Sequence, residues 1–154
     1  MRHAADLVAR AVEVALAIAL IGAVALNFVN VVGRYGFGST ITIADELQTF
    51  AMVWIAFLGA GVVTWRGAHL RMDVLAQRLP SGLQKILAWV EAALVLLLGS
   101  LITGVAWQYV AQMYHLAAKS QTAGIPMWIP HSALLVGFAL IVLASILRAA
   151  QRPQ

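Results

Sequence analysis

Few residues in this 154-residue chain are able to do chemistry, and they stand in unusual places. Cysteine is absent, which removes disulfides, thiolate metal sites and cysteine nucleophiles. A haem held between helices needs ligand histidines at matching depth on facing segments. His3, His69, His115 and His131 instead fall outside the apolar runs or at their edges, on mixed sides. No metal-ligand spacing, glycine-rich phosphate loop or Ser/His/Asp arrangement occurs in the sequence. Glu13 and Glu91 lie near the ends of apolar runs. There they either reach the interface or a basic neighbour, or bind a proton or cation. Asn27 and Asn30, three residues apart on one helix face, are placed to hydrogen-bond a neighbouring helix. Asp45 and Glu46 open an apolar run, where carboxylates suit the positive end of a helix dipole. Glu46 is also within reach of Arg34 across a short connection. Nothing in this set requires an enzyme. We expect no catalytic, cofactor-binding, metal or substrate-binding residue in this chain.

The segments that must position these groups are apolar. Hydrophobic residues make up 62% of the chain and charged ones 10%, with a mean hydropathy of +0.89; soluble domains hold roughly 45–50% and 25%. A membrane-spanning helix needs about 20 mainly apolar residues. Four such runs occur, at about 11–32, 43–64, 86–109 and 127–147. The connections are short, so the expectation is an all-α membrane protein, one domain over 1–154, with its four transmembrane helices in one bundle. The first run continues past the small-residue site at Ala23-Val24-Ala25 to Val32. That is longer than a signal-peptide core, so an uncleaved anchor is expected. Ten basic residues give a net charge of +4, but they are strung between apolar segments and form no nucleic-acid-binding face. Eight of them flank the N-terminus, the second connection and the C-terminus. The other connections hold only Arg34 and Lys119. The positive-inside rule therefore puts both termini in the cytoplasm.

The basic second connection, 66–80, carries Arg66, Arg71, Asp73 and Arg78 with His69 between them. Written as a helix, it places Met72, Leu75, Ala76 and Leu79 on one side. A short amphipathic helix in the cytoplasmic interface, ended by Pro80-Ser81-Gly82, fits that pattern. Small residues recur at four-residue spacing at Ala11, Ala15, Ala19 and Ala23, and again at Ala56/Ala60, Ser100/Gly104 and Ala133/Gly137. Such spacing allows helices to approach closely in lipid. No strong breaker occurs from Leu83 to His115, so the third helix is expected to overrun the hydrocarbon, with an extension carrying Gln108, Gln112, Tyr114 and His115.

One set of residues is more specific than any of these patterns. Arg34-Tyr35-x-Phe37 follows the first span and Glu46 opens the second, within which come Trp54 and Leu58-Gly59-Ala60. Arg66, His69 and Asp73 then form an Arg-x-x-His-x-x-x-Asp run, and Gly124-Ile125-Pro126-Met127-Trp128 precedes the last span. In this order the markers resemble the small membrane subunit of the TRAP transporters, the tripartite ATP-independent periplasmic family. The chain departs from the family where Ile43 takes the place of a frequent tryptophan three residues before the glutamate.

The resemblance implies a small integral subunit of the bacterial inner membrane that forms a heterodimer with a large TRAP membrane subunit. That partner would hold the sodium ions and the substrate, an organic acid delivered by a periplasmic substrate-binding protein. The small subunit would brace the static part, contact membrane lipid and need no cofactor of its own. Arg34, Tyr35, Glu46, Trp54, Gly59, Arg66, His69, Asp73 and Trp128 become its structural or partner-interface candidates. Arg66, His69 and Asp73 would fix the turn into the interfacial helix. Two other readings compete: a self-sufficient proton-coupled transporter using Glu91 or Glu13, and a haem or quinone anchor for a redox enzyme.

Overall fold

A computed structural model describes residues 2–66 and 80–150. Four helices account for most of them: α1 (Arg2–Gly36), α2 (Thr42–Arg66), α3 (Ser81–His115) and α4 (Trp128–Ala150). Each includes a stretch long and apolar enough to cross a membrane. The expected interfacial helix, with His69 and Asp73, lies outside the described residues. At 35 residues each, α1 and α3 reach about 50 Å, beyond the roughly 30 Å of a hydrocarbon core. The overlength anticipated for the third segment is therefore shared by the first, which begins well before residue 11.

Local sequence explains where the helices stop. The Gly33 carbonyl accepts the backbone N–H groups of Phe37 and Ser39 at 3.1 and 3.0 Å, and Gly38 adopts φ +64°. A Cβ on Gly33 would stand 2.8 Å from the Ser39 oxygen, so this tight exit requires glycine. Pro130 stands in the first turn of α4, where a missing N–H breaks no intrahelical bond.

The four spans pack as one unit, as expected, and within it the helices form a row. α1 packs on α2, α2 on α4, and α4 on α3, leaving α1 and α3 at opposite edges. α2 and α4 run parallel, because Phe57 meets Gly137 and Gly61 meets Leu140 one turn further along both helices. α3 runs antiparallel to α4, as the Gly99–Val142 and Tyr109–His131 contacts require.

The core of this row is thin. Among the described residues the buried apolar positions are six alanines, Pro130 and three glycines, and no large side chain is fully buried. Close approach of backbones, driven by dispersion, substitutes for interdigitated bulk. The tightest point is Gly137, where a Cβ would lie 2.5 Å from Phe57 Cβ and 2.9 Å from the Phe57 carbonyl oxygen. Beside it Ala133 is completely buried, and the Phe57 and Phe138 rings meet at 5.7 Å.

Of the anticipated small-residue pairs, Ala133/Gly137 makes this contact. The others point elsewhere. Ala11, Ala15 and Ala19 are exposed and only Ala23 of that stripe is buried, because α1 turns Ala9, Leu16, Ala23 and Asn30 toward α2. On α3, Gly99 and Ala106 face α4, whereas Ser100 and Gly104 are exposed.

Candidate functional site

Polar groups tie the row together at both ends. At the end holding both termini, Arg66 closes α2 and forms an ion pair with Glu13 of α1. One residue earlier, the Trp65 indole N–H donates to Asp6 at 3.0 Å. Glu13 thus has the basic neighbour that its depth called for. With both partners more than a third exposed, the pair contributes about 1 kcal/mol or less. A double-mutant cycle over Glu13→Gln and Arg66→Met, read by thermal unfolding in detergent, should show a coupling of about that size. Complete additivity would show that the pair contributes nothing. Glu91, half-buried on α3, stands on the opposite edge helix from Glu13, so the two carboxylates share no site.

At the other end, where α1 gives way to α2, the first turn of α2 is a hub. Asn30, 4% exposed, donates to Asp45 at 3.2 Å, and its own oxygen accepts the Ile41 N–H at 2.9 Å. Arg34 reaches the second Asp45 oxygen at 3.4 Å, and Asn27 donates to Gln48 at 2.9 Å. The cross-helix use expected of both asparagines is what the structure shows. Asn30→Ala removes two bonds from a buried position and orphans the Ile41 N–H. A loss of about 1–2 kcal/mol in thermal stability is expected, and an unchanged melting curve would count against this accounting.

The expected Arg34–Glu46 pair does not form. Neighbouring helical residues point about 100° apart, so only one of Asp45 and Glu46 can face α1. Asp45 does. Glu46 turns the other way and accepts the backbone N–H groups of Thr122 at 3.0 Å and Ala123 at 2.8 Å. These belong to the loop joining α3 to α4, which folds on itself as a short hairpin. Ser120 N–H donates to the Ile125 carbonyl, and Met127 N–H to that of Ala118, both at 2.8 Å. The Ser120 hydroxyl accepts the Ile125 N–H at 3.1 Å. Gly124, first residue of the Gly-Ile-Pro-Met-Trp run, takes φ +64° at the bend.

Glu46 therefore clamps this loop to the start of α2, joining two sequence markers 76 positions apart. Where the run ends, Trp128 packs edge-on against Tyr114 at 6.1 Å and fixes the last turn of α3 beside the first of α4. An open groove of about 440 Å³ between α2 and the hairpin is lined by Asp45, Glu46, Phe50, Lys119 and Met127. Both of its carboxylates are engaged in the bonds just described.

The remaining candidates sit apart from this hub. Trp54 is half-buried midway along α2, and Gly59 faces α1 in ordinary contact with Leu16. Tyr35, 83% exposed, points away from the protein. Sequence reasoning missed Asp45 as the centre of the hub, and the Trp65–Asp6 bond. The adjacency of two carboxylates was the available signal for Asp45, since such a pair must serve two directions. Nothing local marks Asp6 as the partner of a residue 59 positions away.

Fold and site together define a multi-pass membrane protein whose polar groups join its own helices and loops, and whose apolar surface is left for other molecules to cover. The family is given by comparison. The model of the tripartite ATP-independent periplasmic transporters, DctQ component, matches residues 23–153, and the chain belongs to that family as a small permease subunit of a TRAP transporter. A putative TRAP transporter small permease protein of Haemophilus influenzae is 32% identical, over 92% of this chain and 86% of that protein. The C4-dicarboxylate TRAP transporter small permease protein DctQ of Vibrio cholerae is 30% identical over 75% of this chain, which spans 60% of that protein. The ectoine TRAP transporter small permease protein TeaB of Halomonas elongata is 25% identical, and the chain spans 62% of it.

Proposed function

We propose that this subunit is the static brace of a two-subunit membrane complex in the bacterial inner membrane, with both termini cytoplasmic. The larger membrane subunit carries the sodium ions and the substrate, an organic acid handed over by a periplasmic binding protein. The observation that carries this reading is the thinness of the core. A one-layer row in which, among the described residues, only alanines, glycines, one proline and two polar residues are buried cannot enclose a solute, and it leaves two broad apolar faces for a membrane partner and lipid. The carboxylates of the hub support it further: Asp45 and Glu46 accept bonds from neighbouring elements and act as joints. The basic flanks at the terminal end agree with a cytoplasmic placement. The relatives are named for cargoes as different as C4-dicarboxylates and ectoine, which suits a subunit that does not read the cargo.

Tagging this chain in mild detergent should bring down a much larger hydrophobic subunit, and sodium-driven uptake in liposomes should require both chains with a binding protein. Uptake by this polypeptide alone would overturn the proposal.

A further inference from the structure

Helix α3 is an edge helix, packed chiefly on α4. Gly99 and Ala106 mark its packed side. Nearly opposite stand Leu97 and Leu101, 63% and 59% exposed, flanked by exposed Val90, Leu94 and Val105. Two tryptophans frame this apolar stretch, Trp89 at 76% and Trp107 at 64% exposure. Eighteen positions separate them. At 3.6 residues per turn they share one face, about 27 Å apart along the helix, close to the thickness of a hydrocarbon core.

We infer that the outer edge of α3 faces lipid in the assembled transporter, with Trp89 and Trp107 in the two membrane–water interfaces. Three observations converge on the lipid surface as the occupant. The spacing of the pair suits the bilayer, whose interfaces favour an amphipathic ring at each side. Neither indole N–H has a hydrogen-bond partner among the described residues, a need that headgroups and water meet at the membrane–water interface. The surface between the two depths is chiefly leucine and valine, with no charged side chain exposed at its centre.

The same placement tilts the row. Through the close contacts of Phe57 with Gly137 and Gly99 with Val142, the Arg66–Glu13 pair stands level with α3 about six residues beyond Trp89. Glu46 stands level with the end of α3, about eight residues beyond Trp107 by the same register. Both offsets have the same sign and similar size. Interfaces passing through the tryptophans of α3 and the polar ends of α2 therefore cut the row obliquely, as they do for spanning helices tilted by about 20° on average. Trp89 and Trp107 stand about a quarter turn from the packed side, so the lipid contact takes in the adjoining face of the row, and the partner is left the other face and the α1 edge.

The claim that the α3 edge stays free in the complex rests on the two-subunit reading above; the lipid contact of the chain by itself does not. The cysteine-free sequence permits single-cysteine variants at exposed Val90, Leu97 and Val105, each carrying a fluorophore, in vesicles of phosphatidylcholine brominated near the carbonyl or near the chain terminus. The inference expects a loss of emission at Leu97→Cys that is greatest with terminal bromines. At Val90→Cys and Val105→Cys the loss should be greatest with bromines near the carbonyl. All three should be unchanged when the large subunit is co-reconstituted. Quenching of the lone chain that disappears in the complex would put the partner on this edge and overturn the inference while leaving the two-subunit reading intact. Equal depth at all three positions would overturn the interfacial placement. If no larger subunit co-purifies, the two-subunit reading fails, and quenching of the lone chain still decides the lipid contact.

Discussion

Gly137→Leu is expected to prevent this subunit from folding into a stable row. A Cβ alone would already lie 2.5 Å from Phe57 Cβ and 2.9 Å from the Phe57 carbonyl oxygen. Those atoms belong to the backbone of α2 or are fixed to it, so no rotamer change relieves the overlap. Two helices must separate, and with them go the burial of Ala133 and the Phe57–Phe138 contact. Overpacking of a closed interface costs typically 1–3 kcal/mol and occasionally more. Here the contact lies at the centre of a thin row, so α1–α2 would part from α3–α4. The expected result is a large fall in the yield of monodisperse protein, with Gly137→Ala intermediate. Gly104→Ala is the control. Nothing lies within 4 Å of a Cβ there, and the helix gains up to about 1 kcal/mol from removing a glycine. Thermal unfolding of the purified subunit checks all three. Equal melting temperatures for Gly137→Leu and the parent would remove the argument for a close α2–α4 crossing.

Glu46→Ala should release the α3–α4 hairpin from α2. The two N–H groups it satisfies belong to Thr122 and Ala123, and both are charge-assisted bonds of normal length. Without them the hairpin keeps its internal Ser120–Ile125 and Ala118–Met127 bonds but loses its anchor on the row. Local opening should then expose the Lys119–Ser120 bond to trypsin, with cleavage faster by on the order of tenfold. Uptake by the complex should fall, because Trp128 and Tyr114 sit at the feet of the same loop. Glu46→Gln keeps an amide oxygen that accepts one of the two bonds, so its cleavage rate should lie between. Asp45→Asn is the comparison: it disturbs the Arg34 and Asn30 side of the hub and should leave cleavage at Lys119 near the parent rate. Identical proteolysis of Glu46→Ala and parent would mean that the clamp does not hold the loop.

How much of this was legible beforehand depends on which physical signal carries it. Four apolar runs gave four helices, since a stretch of that length and composition satisfies its backbone groups in lipid only as a helix. The motif residues from Arg34 to Trp128 gave the family. Asn30, deep in an apolar run, announced a cross-helix bond, because an amide in lipid must find a partner. The glycines and alanines that make contact were only partly readable: Gly137 and Ala133 were, whereas the Ala11–Ala19 stripe and Gly104 look the same in sequence and lie exposed.

The sequence by itself determined the number of spans and the kinship of the chain. Local composition is enough for each of these. Only the tertiary structure decided that the helices stand as a row in the order α1, α2, α4, α3, that Asp45 and not Glu46 takes Arg34, and that Glu46 reaches a loop 76 positions away. In a soluble helix the apolar stripe names the buried face. In a membrane the side facing lipid is as apolar as the side facing another helix, so the periodicity that would show which faces pack is erased.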